Sequence, residues 1–330
     1  MNNTDDLISK KTYKFNFIQL LTRIFQRGGV YISLIIILIF AGIFSPKLLE
    51  LNHLLFILKI ASIIGIISIG QTLLIITRGL DLSVGASATL IIVLICSINM
   101  GNSKYVFISI IIALAVGVLI GIVNGLLVVK FKISPLVGSL GVMSLLTGIT
   151  FIYTKGFARG STPEFISYLG HGKILGFLPV SIIIWAVIAL IIIFILKRTS
   201  FGRYIFAVGA NPQAAYIAGL YSGKIILYVY IISGLLTAIA AIIWAGYLRS
   251  PTLGGGSSYP LDSLTAVIIG GTTFAGGKGT ILGTIIGTII ITLLSSLLNM
   301  LGLGEGVKML FQGFLILLMV FAYTGRKSLG

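Results

Sequence analysis

The run that most resembles a nucleotide site is Gly271-Thr272-Thr273-Phe274-Ala275-Gly276-Gly277-Lys278-Gly279. A phosphate-cradling loop needs a Gly five positions before the Gly that precedes its Lys, and a Ser or Thr after that Lys. Thr272 and Gly279 stand at those places, and no strand leads into the run, so the chain is not expected to bind ATP by itself. Redox and metal chemistry fare no better. Cys96 is the single cysteine and lies in the apolar run Ile91 to Cys96, while His53 and His171 are far apart and lack ligand spacing. No Ser–His pair or Asp cluster suits a membrane protease or prenyl transferase. No catalytic residue, metal site or cofactor is therefore expected in this chain.

Seven acids remain, namely Asp5, Asp6, Glu50, Asp81, Glu164, Asp262 and Glu305, and all fall in loops or near the ends of apolar runs. Proton-coupled carriers bury such groups in mid-membrane, which weighs against that class. A Na⁺ site of carbonyls and hydroxyls stays open. Inside the apolar runs the polar residues are Gln71, Thr72, Ser87, Asn124, Ser144, Thr147, Thr150 and Asn299. Amides and hydroxyls suit a path for a neutral polar solute, and Gln71, Ser87, Asn124, Thr147 and Asn299 are the pathway candidates. Interhelical hydrogen bonds in the bilayer would use the same residues.

These groups need elements to hold them, and composition says which. Of 330 residues, 57% are hydrophobic and 9% charged, with a mean hydropathy of +1.15. Soluble domains carry about 25% charged residues, so the chain reads as an all-α polytopic membrane protein. Its apolar runs are continuous, which excludes an outer-membrane barrel. About 20 apolar residues cross the hydrocarbon, and that rule gives ten spans: 30–46, 54–77, 83–99, 105–129, 135–154, 178–196, 225–247, 263–276, 281–301 and 308–324. The eighth is short and Gly-rich and is expected to be broken or re-entrant, which only burial in protein tolerates.

The net charge of +16 suits nucleic acid in a soluble protein, but here the cations sit between spans and orient them. With both termini cytoplasmic, 15 of the 23 Lys and Arg fall inside, including the acid-free cluster Lys197–Lys224. No nucleic-acid partner is expected. Residues 1–29 form a cytoplasmic N-terminal segment without a cleavable signal. Its apolar positions between Phe15 and Phe25 fit a helix lying on the membrane face or a mobile tail. Residues 30–324 make one membrane domain, and 325–330 a cytoplasmic tail.

Two glycine stripes, Gly117/Gly121/Gly125 and Gly279/Gly283/Gly287, repeat every four residues. Each allows close helix approach, within the chain or between subunits. Asp81 follows Gly79 and precedes a span. It reads as a helix cap, with Arg78 as a local ion pair, or as a cytoplasmic gate. On the outer side Arg159 and Arg249 are the candidates for docking a carboxylate-bearing partner, alongside Lys155, Glu164, Lys173, Asp262, Glu305 and Lys308. Ordinary solvated loop charge is the plainer reading of all of these.

The inner loop 197–224 holds Asn211-Pro212-Gln213-Ala214-Ala215-Tyr216-Ile217-Ala218-Gly219. Asn211 suits an N-cap, Pro212 the first helical position and Gly219 the residue past the end. The result is a two-turn helix, either an inert capped turn or a piece that seats in another protein's groove. Replacing Ala215 by Arg is expected to leave the fold intact and to uncouple transport.

Three stretches together resemble the permease subunits of bacterial ABC importers for monosaccharides, the ribose-type branched family. They are Gly79-Leu80-Asp81-Leu82-Ser83-Val84-Gly85, Phe201-Gly202-Arg203-Tyr204 through Asn211 and Gly219, and Ile268 to Thr280. The resemblance implies a type II ABC importer-like permease in the bacterial cytoplasmic (inner) membrane. It implies partners as well: ABC ATPase subunits that bind ATP and Mg, an extracytoplasmic sugar-binding protein, and a second permease subunit, identical or related, all set in membrane lipid. By position, Pro212–Ala218 corresponds to the coupling helix, with Arg203 in the same contact region. A permease for nucleosides or another small polar solute is the first alternative, an ion-coupled secondary carrier the second, and a membrane enzyme the third.

Overall fold

The computed structural model describes residues 17–324, with side chains at 30–314, 316 and 317. Residues 1–16 of the expected N-terminal segment 1–29, and the expected tail 325–330, lie outside the described residues. The chain is helical almost throughout. In order come α1 (Phe17–Phe44), α2 (Leu51–Ile76), α3 (Val84–Asn99), α4 (Val106–Val129), α5 (Pro135–Thr154), α6 (Glu164–His171), α7 (Val180–Arg198), α8 (Ser200–Ala210), α9 (Pro212–Ile217), α10 (Ser222–Leu248), α11 (Tyr259–Ile269), α12 (Ile281–Met300) and α13 (Glu305–Thr324). A two-stranded antiparallel hairpin, β1 (Lys173–Ile174) and β2 (Leu178–Pro179), separates α6 from α7.

A helix overlaps each expected span, but α1 begins well before residue 30 and α11 stops short of residue 276. Residues 17–29, expected as an interfacial helix or a mobile tail, are helical and continuous with the first expected span in α1. Among the described residues, six helices are long and apolar enough to cross a membrane by length and composition alone: α2, α4 with the short turn before it, α5, α7, α10 and α12. The eighth expected span is cut short. α11 ends at Ile269, and 270–280 runs without helix. Gly271, Gly276 and Gly277 there have φ of 86°, 77° and 70°, which a glycine backbone adopts freely.

At the centre stands α2, buried on every side from Ala61 to Ile76. A helix apolar all round belongs inside other helices, and α10, α12, α11 and α7 surround it. The glycine stripes settle the closest contacts. A Cβ at Gly117 would stand 2.5 Å from the Gly234 carbonyl, and one at Gly121 would stand 2.5 Å from that of Tyr230, so α4 lies backbone to backbone on α10. Gly283 and Gly287 meet the carbonyls of Gly270 and Ala266 in the same way, laying α12 on α11. Both stripes therefore serve packing within the chain. By contrast α5, α7 and α13 turn wide apolar faces outward, with Leu145, Leu190 and Leu310 among their exposed residues.

Candidate functional site

Two assemblies of polar groups occupy the region where α2 ends. The first is buried. Asp81 is 3% exposed, and its Oδ1 accepts from the Ser83 backbone N–H (2.8 Å) and hydroxyl (2.5 Å). That closes an Asx turn just ahead of α3, whose N-cap position is Ser83 rather than Asp81. Gln71 donates through Nε2 to the Asp81 carbonyl, and its Oε1 accepts weakly from the Asp81 N–H at 3.4 Å. Asn124 of α4 donates to Ser83 Oγ at 2.9 Å. Ser87 bonds back to the Ser83 carbonyl at 2.8 Å. Tyr230 of α10 donates to the Leu80 carbonyl at 3.1 Å. Three pathway candidates, Gln71, Ser87 and Asn124, thus meet Asp81 in one network. The structure spends their donors on the 80–83 backbone and on Ser83. Burial pushes the Asp81 carboxyl above the usual carboxylate range, and the Ser83 bonds pull it partly back.

The other two pathway candidates lie apart from it. Thr147 faces outward from α5 and bonds its hydroxyl to the Met143 carbonyl at 2.8 Å. Asn299 sits exposed at the last turn of α12. Of the remaining span hydroxyls, Thr72 pairs with Thr284 at 2.6 Å across α2 and α12, while Ser144 and Thr150 bond within their own helix.

The second assembly is a splice at the end of α2. The expected Arg78–Asp81 ion pair does not form. Arg78 instead donates Nε to the Gly209 carbonyl and Nη2 to the Ala210 carbonyl, both at 2.7 Å. Those are orphan acceptors at the C-terminus of α8, where a cation also meets the negative end of the helix dipole. The Gly277 N–H donates to the Ile76 carbonyl at 2.8 Å and closes α2. A Cβ at Gly277 would stand 2.6 Å from Ala210. Three distant pieces of sequence are joined here, and the glycine run that failed as a phosphate loop serves as a close backbone contact.

The loop 197–224 is more helical than expected. Thr199 caps α8 by accepting from the Gly202 N–H at 3.2 Å. No helix is expected here from the sequence, although Phe201, Ile205 and Val208 mark one face at helical spacing. α9 follows as expected: Asn211 accepts from the Gln213 and Ala214 N–H groups at 3.1 and 3.0 Å, Pro212 opens the helix, and Gly219 has φ 81°. Arg203, Gln213, Ala214 and Ala218 are exposed. Tyr216 and Ile217 are 69% and 81% exposed, whereas Ala215 is only 5% exposed. An Arg at 215 would therefore disturb how α9 sits on its own chain, and that substitution does not isolate a partner contact.

On the opposite face, Arg159 and Arg249 are exposed, and the Thr162 N–H donates to the Arg249 carbonyl at 3.0 Å, which joins their two loops. Two of the other charges counted as free there are not. Asp262 is 1% exposed and Lys308 9%. Lys308 Nζ lies 3.1 Å from Asp262 Oδ1 and 3.2 Å from Glu305. Gln312 (2.5 Å) and Ser258 (2.9 Å) also donate to the Asp262 carboxylate. These bonds pin α13 to α11. Among the described residues no cluster of His, Cys, Asp or Glu could hold a metal ion.

Comparison with known proteins bears on this arrangement. Residues 53–320 match the family described as branched-chain amino acid transport system / permease component. The ribose import permease protein of Haemophilus influenzae is 35% identical over 305 residues, 91% of this chain and 94% of that protein. The galactose/methyl galactoside import permease protein of Escherichia coli is 32% identical, covering 78% and 82%. The fructose import permease protein of Rhizobium meliloti is 28% identical, covering 97% and 92%. No solved structure matches.

Proposed function

This chain belongs to the permease-component family of branched-chain transport systems, and from that premise we propose that it is the membrane subunit of an ATP-driven sugar importer, with ribose the first substrate to test. It is a multi-pass transport component and not an enzyme. The relatives import ribose, galactose or fructose by name, which favours a monosaccharide over a nucleoside. In this reading ten helices cross the cytoplasmic membrane: α1 to α5, α7, α10, α11 only in part, α12 and α13. Both termini and the loop 197–224 lie inside.

One observation carries the coupling role. α9 is a capped helix that turns Tyr216 and Ile217 away from its own protein. An exposed apolar pair on a short helix suits a groove in a second protein, here an ATPase subunit that binds ATP and Mg. The splice behind α9 supports the same reading. A push on α8 and α9 would reach Arg78, and through the next five residues the Asp81 network. Asp81 would then serve as the inner gate's hinge anchor, with Gln71, Ser87 and Asn124 as its supports. Arg159 and Arg249 are the docking points for an extracytoplasmic binding protein. A second permease subunit, a copy or a relative, completes the path, to which Thr147 on the outward face of α5 would contribute.

The test is reconstitution with an ABC ATPase and a ribose-binding protein that co-purify with it. Ribose uptake should require ATP and stop with vanadate. Uptake driven by an ion gradient without the ATPase would overturn the proposal. Labelling of cysteines placed at Lys224 and Arg249 tests the topology separately: reagent should reach position 224 only from inside and position 249 only from outside.

A further inference from the structure

The outward face of α7 carries a groove of about 540 Å³ lined by Leu190, Ile191, Ile193, Phe194, Lys197 and Arg198. Its floor is apolar and its mouth is cationic. We propose that it is a site for one anionic phospholipid of the inner leaflet, with an acyl chain along Leu190–Phe194 and the headgroup phosphate on Lys197 and Arg198. The inference rests on the topology proposed above.

Three observations favour this occupant. The first is length. From Leu190 to Arg198 the helix rises about 12 Å, close to the roughly 15 Å of hydrocarbon in one leaflet. The groove therefore matches a single tail that ends where headgroups begin. The second is charge. Between Glu164 and Asp262 the sequence has no carboxylate, and among the described residues the ion pairs found are those of Lys308. Lys197 and Arg198 are both exposed, adjacent, and in need of an anion. Basic groups at the inner membrane boundary attract anionic headgroups, and a guanidinium matches phosphate geometry.

The third observation weighs against face-to-face pairing with a second copy of this chain through α7. An isologous pairing through α7 would set these cations against themselves. The exposed carboxylates among the described residues are Glu50, Glu164 and Glu305, all on the outer side in the proposed topology. Asp81 lies inside but is buried. No copy in the same membrane can bring one of these acids to the mouth of the groove.

The experiment compares wild type with the double variant K197Q/R198Q, and with K130Q/K132Q, which removes the same charge elsewhere on the inner face. The purified full-length chain is exchanged into nanodiscs of phosphatidylcholine with a tenth phosphatidylglycerol, then released into mild detergent for intact mass measurement. Wild type and K130Q/K132Q should each keep one phosphatidylglycerol. K197Q/R198Q should bind it about tenfold more weakly. Equal retention in all three proteins, or phosphatidylcholine kept as well as phosphatidylglycerol, would overturn the site and leave an ordinary lipid-facing helix. So would a disulfide between two chains carrying I191C. The cysteine labelling at position 224 reports on topology by itself, so failure of the lipid site and failure of the proposed orientation are distinguishable. A monodisperse chromatographic peak for each variant shows that it is folded.

Discussion

Arg78 shows how one side chain can tie two helices together. It closes the end of α8 from a backbone with φ of 63°, a conformation that non-glycine residues rarely adopt. Replacing it by Ala should cost about 1–2 kcal/mol from the two lost bonds to helix-end carbonyls. Ribose uptake should fall more than thermal stability does, because the splice lies between α9 and the buried network. Arg78→Lys, which keeps the charge but not the two-nitrogen fork, should recover stability better than uptake. His171 makes a different prediction. Its ring stacks on Tyr247 at 5.3 Å and its Nδ1 meets the Gly246 carbonyl at 3.1 Å. Burial, more than the nearby Lys59 and Arg249, lowers its pKa, and the Gly246 bond opposes this. The unfolded chain therefore takes up a proton first as pH falls. Stability of the α6–α10 contact is present above about pH 6.5 and declines below it, toward the depressed folded pKa. Thermal melts at pH 7.5 and 5.5 should differ more for wild type than for His171→Gln.

At the scale of elements, α9 is where the sequence was most readable. Its cap, its Pro and its terminal Gly are local chemistry, and each sits where that chemistry demands. Which face of so short a helix is covered is not local, because it depends on how α8 and α10 frame it. That is why Ala215 looked as free as Ile217. The informative substitution is Ile217→Arg. It should leave expression and melting unchanged and reduce ATP-dependent uptake at least tenfold, and unchanged uptake would remove the coupling role. Six of the apolar runs were legible because hydrophobic length alone marks them, as α2, α4, α5, α7, α10 and α12 show. α8 was not, since eleven residues beside a basic cluster resemble a loop until Phe201, Ile205 and Val208 are placed on one face. The partners of Arg78 and Asp262 were beyond sequence reading, being 131 and 46 residues away.

For the whole molecule, the buried centre is α2 and α10 with α4 and α12 laid against them, and the helices that turn outward are held by fewer contacts. α13 is the clearest case. Its tie to α11 is the charged cluster around Asp262, so the pair should matter to assembly as well as to stability. Removing one partner, as in Lys308→Met, leaves a buried carboxylate unpaired and should cost about 3–5 kcal/mol. The double change Asp262→Leu with Lys308→Met should recover much of that loss. Melting of the purified single and double variants measures the coupling, and additive losses would deny it. The splice at the end of α2 has a consequence for biosynthesis. Ile76 leaves the ribosome about 200 residues before its partner Gly277, so at about 5–20 residues per second it waits some 10–40 s for it. During that interval the inner end of α2 is an open joint on a nascent chain, and a chain interrupted before residue 277 would present an unfinished surface to membrane quality control.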